Sequence, residues 1–215
     1  VFRFNLELKV LEFGLVRQDG NYLDKLNQTQ YIQQSLLETA RILNELSQDT
    51  SKIEEIALLW ANCLRGGNKI MFCGNGGSAG DSQHMVGELV GRFYKNREPL
   101  AAVSLSTDTT VLTAVSNDYS FEEVYSRQVQ ALGKQGDVLV GISTSGSSRN
   151  VLKAIKAATD LNIFTVCVTG LSGKGITGAD MELIIPSLET PRIQEGYFSV
   201  GHIICGLVEQ IIFPN

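Results

Sequence analysis

The stretch Lys69-Ile-Met-Phe-Cys-Gly-Asn-Gly-Gly-Ser-Ala-Gly80 decides the fold of this 215-residue chain. Ile70 to Cys73 is a short apolar run of the kind that forms a strand buried on both faces. The glycines that follow allow a turn with left-handed backbone dihedrals, which can approach a ligand closely. A helix is predicted next, with Ser78 or Asp81 as its cap, and its first amide groups and positive dipole end attract an anion. The stretch therefore predicts a strand–turn–helix unit that can bind an anion.

The predicted helix carries two titratable side chains on one face. His84 and Glu88 are four residues apart, and this spacing brings side chains together on a helix surface. Such a pair is more often a simple surface contact than a site. Because it directly follows an anion-binding turn, it is also a candidate for acid–base chemistry or metal binding.

Strands and helices alternate after this unit, which indicates an α/β fold. Strands are predicted at residues 69–73, 101–105, 137–142, 163–168 and 181–185, and helices at 79–94, 109–116, 121–132, 148–160 and 190–212. Alternation of this kind is typical of a parallel sheet covered by helices on both faces, a three-layer αβα sandwich. Two amphipathic stretches, 23–46 and 51–64, predict an N-terminal helical hairpin ahead of the sheet. Residues 1–24 are expected to be an extension of unknown role, so that the domain covers residues 25–215.

A second loop of unusual composition, Gly141-Ile-Ser-Thr-Ser-Gly-Ser-Ser148, follows another apolar strand and leads into a helix. Its hydroxyl and amide donors beside a helix N-terminus suit a phosphate monoester and need no lysine. The alternative is a serine-rich turn whose hydroxyls only cap the helix. Because ligands of parallel sheets bind beyond the carboxyl ends of the strands, two such loops favour the phosphate site.

A nucleotide site is less consistent with the sequence. Gly74 to Ala79 formally fits the G-x-G-x-x-A pattern, which is weak by itself. An acid that binds ribose should follow about 20 residues later, and Asp108 comes about ten residues too late. No lysine of the P-loop type follows either loop. A phosphosugar therefore fits better than a dinucleotide.

Composition excludes several other classes of protein. The net charge of -5 and the lack of a basic stripe argue against a nucleic-acid partner. The four cysteines, Cys63, Cys73, Cys167 and Cys205, lack metal-type spacing and suit a reducing cytoplasm. No apolar stretch approaches the roughly 20 residues that span a bilayer, so no membrane contact is expected.

Taken together, the motifs resemble those of one family. CGNGGSAGDSQH at 73–84, GELVGRF at 87–93, NDYSF at 117–121, GISTSGSS at 141–148 and RIQE at 192–195 followed by His202 are similar to bacterial phosphoheptose isomerases. These are sugar isomerase (SIS) domain proteins that interconvert sedoheptulose 7-phosphate and D-glycero-D-manno-heptose 7-phosphate. The resemblance implies an enediol(ate) mechanism, a cytoplasmic homotetramer and a role in heptose synthesis for lipopolysaccharide or another glycan.

The resemblance also implies roles for individual residues. Glu88 and His202 would be the catalytic acid–base pair, with Glu88 moving a proton between C1 and C2 of the sugar. A zinc ion would be held by His84, Glu88, Gln194 and His202. The substrate would be bound by Asn75, Gly76, Gly77, Glu88, Asn117, Asp118, Ser143, Thr144, Ser145, Ser148 and Gln194.

Helix geometry limits how the zinc ligands can meet. On one straight helix, Gln194 and His202 are about 12 Å apart along the axis, too far for both to bind one ion. Either the helix breaks at Gly196 or Gly201, or His202 reaches a site in a neighbouring subunit. We expect the second arrangement.

Two other functions stay open. One is the non-catalytic SIS-domain protein that associates with the bacterial replication initiator, a group that resembles the isomerases but lacks the matching Glu and terminal His. The intact Glu88, His202 and serine loop favour the enzyme. The other is an isomerase of a different phosphosugar, since the residues do not determine how many carbon atoms the substrate has.

Overall fold

The structure, a computed structural model, describes residues 28–214, so the predicted extension over residues 1–24 lies outside them. The helices are α1 Gln28–Leu46, α2 Ser51–Arg65, α3 Gly77–Val90, α4 Thr109–Asp118, α5 Ser126–Leu132, α6 Arg149–Asp160 and α7 Thr190–Ile212. The strands are β1 Ile70–Gly74, β2 Ala102–Ser104, β3 Val138–Ile142, β4 Phe164–Gly170 and β5 Met181–Ile185. The chain divides into two units between Glu38 and Thr39, within α1, and residues 28–38 are helical.

All five strands are parallel and lie in the order β2-β1-β3-β4-β5. From β1 the chain crosses to β2 on one side and then returns to β3 on the other side. This reversal is a topological switch point, where the loops after neighbouring strands diverge and leave a crevice for a ligand. The register pairs Gly74 with Ile142, so the glycine turn and the serine loop leave the sheet side by side.

Helices cover both faces of the sheet, which confirms the predicted three-layer architecture. Alternate residues of β1 enter different cores: Ile70 and Phe72 pack with α2, α3 and α7, whereas Met71 and Cys73 pack with α5 and α6. The Trp60 ring of α2 meets the edge of Phe72 with ring centroids 5.3 Å apart. Every residue of β1 is buried, as expected for a strand covered on both faces.

Helices α3 and α7 run side by side in the same direction and form the frame of the site. The start of α3 lies against Gln194, its middle against Gly201, and the segment after it against Glu209. A side chain at Gly201 would lie 2.5 Å from the Met85 sulfur, so this glycine lets the two helices approach closely. Gly196 has a similar role against Ile185 of β5, where an added Cβ would be 2.7 Å from a methyl carbon.

Helix α7 is continuous from Thr190 to Ile212, so neither glycine breaks it. Among the helices within residues 28–214, none has the length and apolar character that crossing a membrane requires.

Candidate active site

The glycine turn between β1 and α3 brings the chain into the helix without a side-chain cap. Helix α3 begins at Gly77. Its N-cap residue is Gly76, which has a φ of 55° and, as a glycine, offers no side chain to cap the helix. The expected cap by Ser78 or Asp81 is therefore wrong, because Ser78 already lies buried within the first helical turn. The N–H groups of Ser78 and Ala79 donate to the carbonyls of Asn75 and Gly76 at 3.0 and 3.1 Å. An anionic ligand would therefore meet the remaining amides of the turn and the positive end of the helix dipole.

The serine loop after β3 is a tight turn in which Ser143 is buried and Ser145 and Ser147 are exposed. Gly146 has a φ of 69°, and its N–H donates to the Ser143 carbonyl at 2.9 Å. The buried Ser143 hydroxyl donates to the Ser148 hydroxyl at 3.0 Å, whereas the exposed Ser145 hydroxyl lies 2.8 Å from that of Ser147. Although Ser148 is the N-cap residue of α6, its side chain makes no cap hydrogen bond. The hydroxyls of Ser145 and Ser143 accept from the N–H groups of Ser147 and Ser148, each at 3.3 Å, and so help to hold the turn itself.

The segment after β4 supports the serine loop from behind. The Thr144 carbonyl accepts a hydrogen bond from the Gly170 N–H at 3.0 Å. A Cβ at Gly146 would lie 2.3 Å from the Gly173 Cα, so the two backbones are in close contact. This support holds the loop in one conformation beside the glycine turn.

A pair of amide side chains joins the two loops. Asn75 donates to Asn150 at 2.9 Å, and Asn150 donates back to Asn75 at 2.8 Å. The Tyr125 hydroxyl lies 3.3 Å from the Asn75 side-chain oxygen and also donates to the Gly74 carbonyl. Sequence reasoning missed Asn150 and Tyr125, because an Asn in the first turn of a helix is typical of a local cap. The Asn75 side chain thus links the loops in this structure.

A group of titratable side chains lies between α3 and α7. The Nε2 atom of His84 is 2.7 Å from Nε2 of His202 and 3.3 Å from a carboxylate oxygen of Glu88. The Phe198 ring stacks on His84 with centroids 4.5 Å apart. Burial lowers the pKa of His202, the neighbouring His84 lowers it further, and Glu88 opposes both effects. A neutral imidazole is therefore favoured at His202.

His202 meets His84 and Glu88 of its own chain, so the expectation that it serves a neighbouring subunit is wrong in this structure. The reason is the parallel packing of α3 on α7, which sets the two histidines opposite each other. No break in α7 is required, because Gln194 does not join the group but lies two turns earlier.

Gln194 lies at the glycine turn. A Cβ added to Gly77 would be 2.2 Å from its Nε2 atom, so the Gln194 amide covers the start of α3. Gln194 also lines a cavity of about 380 Å³ together with Asp81 and Phe198. Of the four predicted zinc ligands, the structure therefore brings three together and places Gln194 beside the predicted substrate loop.

Asp81 lines the same cavity and was considered from the sequence only as a cap. One of its carboxylate oxygens is buried and has no hydrogen-bond partner among residues 28–214. Burial raises the pKa of Asp81 to about 6, although the nearby His84 acts in the opposite direction. The carboxyl group thus titrates close to neutral pH beside the predicted substrate site.

Asn117 and Asp118 lie exposed at the C-terminal end of α4, where the Asn117 amide donates to the Asp118 carboxylate at 2.9 Å. Within the described part of the chain, no hydrogen bond joins this pair to the glycine turn or to the serine loop. The predicted substrate role of the pair is therefore not built into this arrangement by direct contacts.

The group of His84, Glu88 and His202 has the chemistry of a zinc site. Two imidazole nitrogens and one carboxylate oxygen lie within 4.8 Å of one another. Catalytic zinc sites commonly have three protein ligands of these types and leave one position open. The residues present therefore fit such an ion.

Comparisons with known proteins show which family the chain resembles in sequence and fold. The sequence profile of the SIS domain matches residues 30–170. A phosphoheptose isomerase of Akkermansia muciniphila is 45% identical over 186 residues, which cover 86% of this chain and 98% of that protein. The structure of a phosphoheptose isomerase from Neisseria gonorrhoeae has a TM-score of 0.79 and 40% identity, covering 85% of this chain and 99% of that one. The structure of a phosphoheptose isomerase from Francisella tularensis has a TM-score of 0.82 and 33% identity, and the match covers 86% of this chain and 100% of that one.

Proposed function

The chain belongs to the phosphoheptose isomerases of the SIS domain family, and we propose that it interconverts sedoheptulose 7-phosphate and D-glycero-D-manno-heptose 7-phosphate. It is a phosphosugar isomerase. The observation that supports the proposal for the substrate is that the glycine turn and the serine loop meet at the switch point, and that helix α3 connects them to the group of His84, Glu88 and His202. The names of the relatives support the seven-carbon sugar.

The phosphate end of the sugar would be bound without a cation. The amides of the glycine turn that make no bond within it and the hydroxyls of Ser145 and Ser148 would donate to the phosphate oxygens. Donors at helix N-termini bind anions well because the helix dipole adds to the hydrogen bonds. This end of the site would fix the position of the substrate.

Glu88 would carry out the proton transfer at the other end. In the ketose-to-aldose direction its carboxylate takes a proton from C1, and an enediol(ate) forms as the carbonyl oxygen at C2 gains a proton. The same carboxyl group then returns the proton to C2, while the oxygen at C1 loses its own. One carboxylate between two adjacent carbons can therefore serve both halves of the reaction.

His202 would exchange protons with the sugar oxygens, because its lowered pKa leaves the neutral imidazole available to accept one. A zinc ion, when bound by His84, Glu88 and His202, would supply a Lewis acid that polarises those oxygens. The packing of Phe198 on His84 would keep the ring in position and exclude water from one side of the group.

The reaction can be tested directly by NMR. Sedoheptulose 7-phosphate incubated with the protein in D2O should produce the aldose and acquire deuterium from solvent. Five- and six-carbon phosphosugars serve as the comparison. Turnover of a shorter sugar with higher kcat/KM would contradict the seven-carbon assignment but not the isomerase class.

We also propose that the chain acts as a homotetramer in the cytoplasm. An apolar groove of about 670 Å³ between the end of α1, α2 and α7 supports docking of a second copy, and Leu58 and Ile203 at this groove are 51% and 52% exposed. The four cysteines are free and buried, which suits a reducing compartment.

Light scattering tests the assembly, and the parent protein should have the mass of an oligomer. Ile203→Glu, in the groove, should reduce this mass, whereas Leu132→Glu, on α5, should leave it unchanged. A monomeric parent protein would contradict the assembly.

A further inference from the structure

A buried ion pair lies just beyond the group of titratable side chains, between the end of α3 and the last turns of α7. The Arg97 Nε atom donates to a carboxylate oxygen of Glu209 at 2.8 Å, and each side chain is only 2% exposed. Burying two charges costs several kcal/mol of desolvation per ion, so such a pair is weak evidence for a stabilising role alone. Its remaining hydrogen bonds indicate what it does.

Glu209 organises the segment that follows α3. Its two oxygens accept hydrogen bonds from the backbone N–H groups of Phe93, Tyr94 and Lys95 at 2.9, 2.8 and 3.0 Å, besides the bond from Arg97. Burial alone would raise the pKa of Glu209, but these donors outweigh burial and lower it, so that the group is ionised. One carboxylate thus fixes three consecutive peptide units.

Arg97 holds the end of α3 itself. Its Nη2 atom donates to the Glu88 carbonyl at 2.9 Å, and Nη1 donates to the Leu89 carbonyl at 2.7 Å. These carbonyls lie in the last turn of the helix, where no intrahelical donor is available and a cation is favoured by the dipole. The guanidinium therefore caps α3 at the residue that carries the proposed base.

The same network reaches the second proposed catalytic residue. Phe93, whose N–H is held by Glu209, stacks its ring on His202 with centroids 5.4 Å apart. His202 and Glu209 lie on the same helix, α7. The pair therefore fixes the backbone that carries Glu88 and an aromatic ring beside His202, but contacts neither reacting side chain.

We propose that Arg97 and Glu209 are positioning residues that hold Glu88 and His202 in the geometry required for proton transfer. The inference rests on the proposed function, in which Glu88 is the base. The planar fork of Arg97 suits this role, because Nε, Nη1 and Nη2 donate in different directions to Glu209 and to the two carbonyls, whereas the three N–H groups of a lysine share one nitrogen atom.

The test compares Glu209→Gln and Arg97→Lys with a matched control, Asp137→Asn. Asp137 is also a buried carboxylate, with a side chain 0% exposed, that accepts from two backbone amides and a lysine. It lies at the start of β3, and its hydrogen bonds come from Lys69 and Lys134, outside the network of Arg97 and Glu209. Thermal unfolding and circular dichroism give the folded fraction of each variant, so that kinetic constants can be expressed per folded enzyme.

Both positioning variants should lower kcat by roughly 10- to 100-fold, as is typical when groups that orient metal-ligating side chains are removed. KM should stay close to the parent value, because the phosphate loops lie at the other end of α3. Zinc affinity, measured by competition with a chromophoric chelator, should fall in the same two variants. The Asp137→Asn protein should lose stability but keep kcat and zinc affinity per folded molecule.

A folded Arg97→Lys protein with parental kcat and zinc affinity would overturn the inference. Equal losses in Asp137→Asn would also overturn it, since the effect would then be one of general stability. If Glu209→Gln does not fold, Arg97→Lys carries the test, because it keeps the buried charge and removes only the fork. Turnover that survives in Glu88→Gln would instead show that the proposed base is wrong, whatever the result for the ion pair.

Discussion

The two ends of the site are built from different chemistry. At the switch point, the glycine turn and the serine loop are held by uncharged groups: backbone amides, hydroxyls and the amide pair of Asn75 and Asn150. Between α3 and α7, the site consists of His84, Glu88 and His202, with a buried ion pair behind them. Helix α3 joins the two ends, since its first residue follows the turn and its last turn carries Glu88.

This difference separates binding from chemistry along one helix. Uncharged donors at a helix N-terminus hold an anion without titrating themselves, so the pH dependence of phosphate binding should come from the phosphate group and from Asp81. Proton transfer requires a group that changes its protonation state, and the proposed base, Glu88, lies about three turns further along α3 than Gly77. Substitutions at the switch point should therefore affect KM, whereas those in the cleft between α3 and α7 should affect kcat.

The largest effect is expected for Glu88→Gln, which keeps the shape of the side chain but removes the base. Loss of a general base should lower kcat by about 10²- to 10⁴-fold and abolish deuterium incorporation from solvent. Binding of the phosphosugar, measured by calorimetry, should persist because the loops are unchanged. Near-normal deuterium exchange in this variant would show that Glu88 is not the base.

A smaller effect is expected at the serine loop. Ser145→Ala and Ser148→Ala should each weaken binding of the phosphorylated sugar by roughly 0.5–3 kcal/mol, the range for a lost hydrogen bond to a charged group. Most of the change should appear in KM. An unphosphorylated analogue is the control, and equal losses with that analogue would argue against a phosphate site at this loop.

Gly77→Ala tests whether Gln194 contributes to substrate binding at the glycine turn. The new methyl group would displace the flexible Gln194 amide, whose nitrogen lies 2.2 Å from the Cβ position, and the helix itself should still form. Loss of one hydrogen bond from Gln194 should raise KM by an amount equivalent to about 0.5–1.5 kcal/mol. Gly87→Ala is the matched control on the same helix, because an added Cβ there meets nothing within 4 Å. A parental KM in a folded Gly77→Ala protein would remove Gln194 from the substrate loop.

The smallest effect concerns stability in acid. Hydrogen bonds lower the pKa of Glu209 in the folded protein relative to its ordinary value of 4.5, despite burial. The stabilisation is therefore complete above about pH 4.5 and is lost as the pH falls through the folded pKa. Urea unfolding of the parent and Glu209→Gln should show a constant difference in free energy above pH 4.5 that narrows below it. A difference independent of pH down to complete unfolding would contradict this.

Much of the fold followed from local patterns. The strands and helices were predicted within a few residues, because each depends on apolar periodicity and on glycines close in the chain. His84 and Glu88 were predicted to share a face, since four residues on a helix determine that relation. The cap expected from Ser78 or Asp81 was wrong, because Gly76 already brings the chain into the helix at residue 77.

The sequence alone determined which local units can form: an anion-binding turn, a serine loop and a helix that carries a His–Glu pair. Only the tertiary structure decided how they combine. His84 and His202 are separated by 118 residues, and Arg97 and Glu209 by 112, so no local pattern relates them. The packing of α3 parallel to α7 aligns both pairs, through small residues such as Gly201 that set the distance between the helices. It also placed His202 beside Glu88 within one chain and Gln194 beside the glycine turn, because the position of a side chain on a straight helix depends on what that helix packs against.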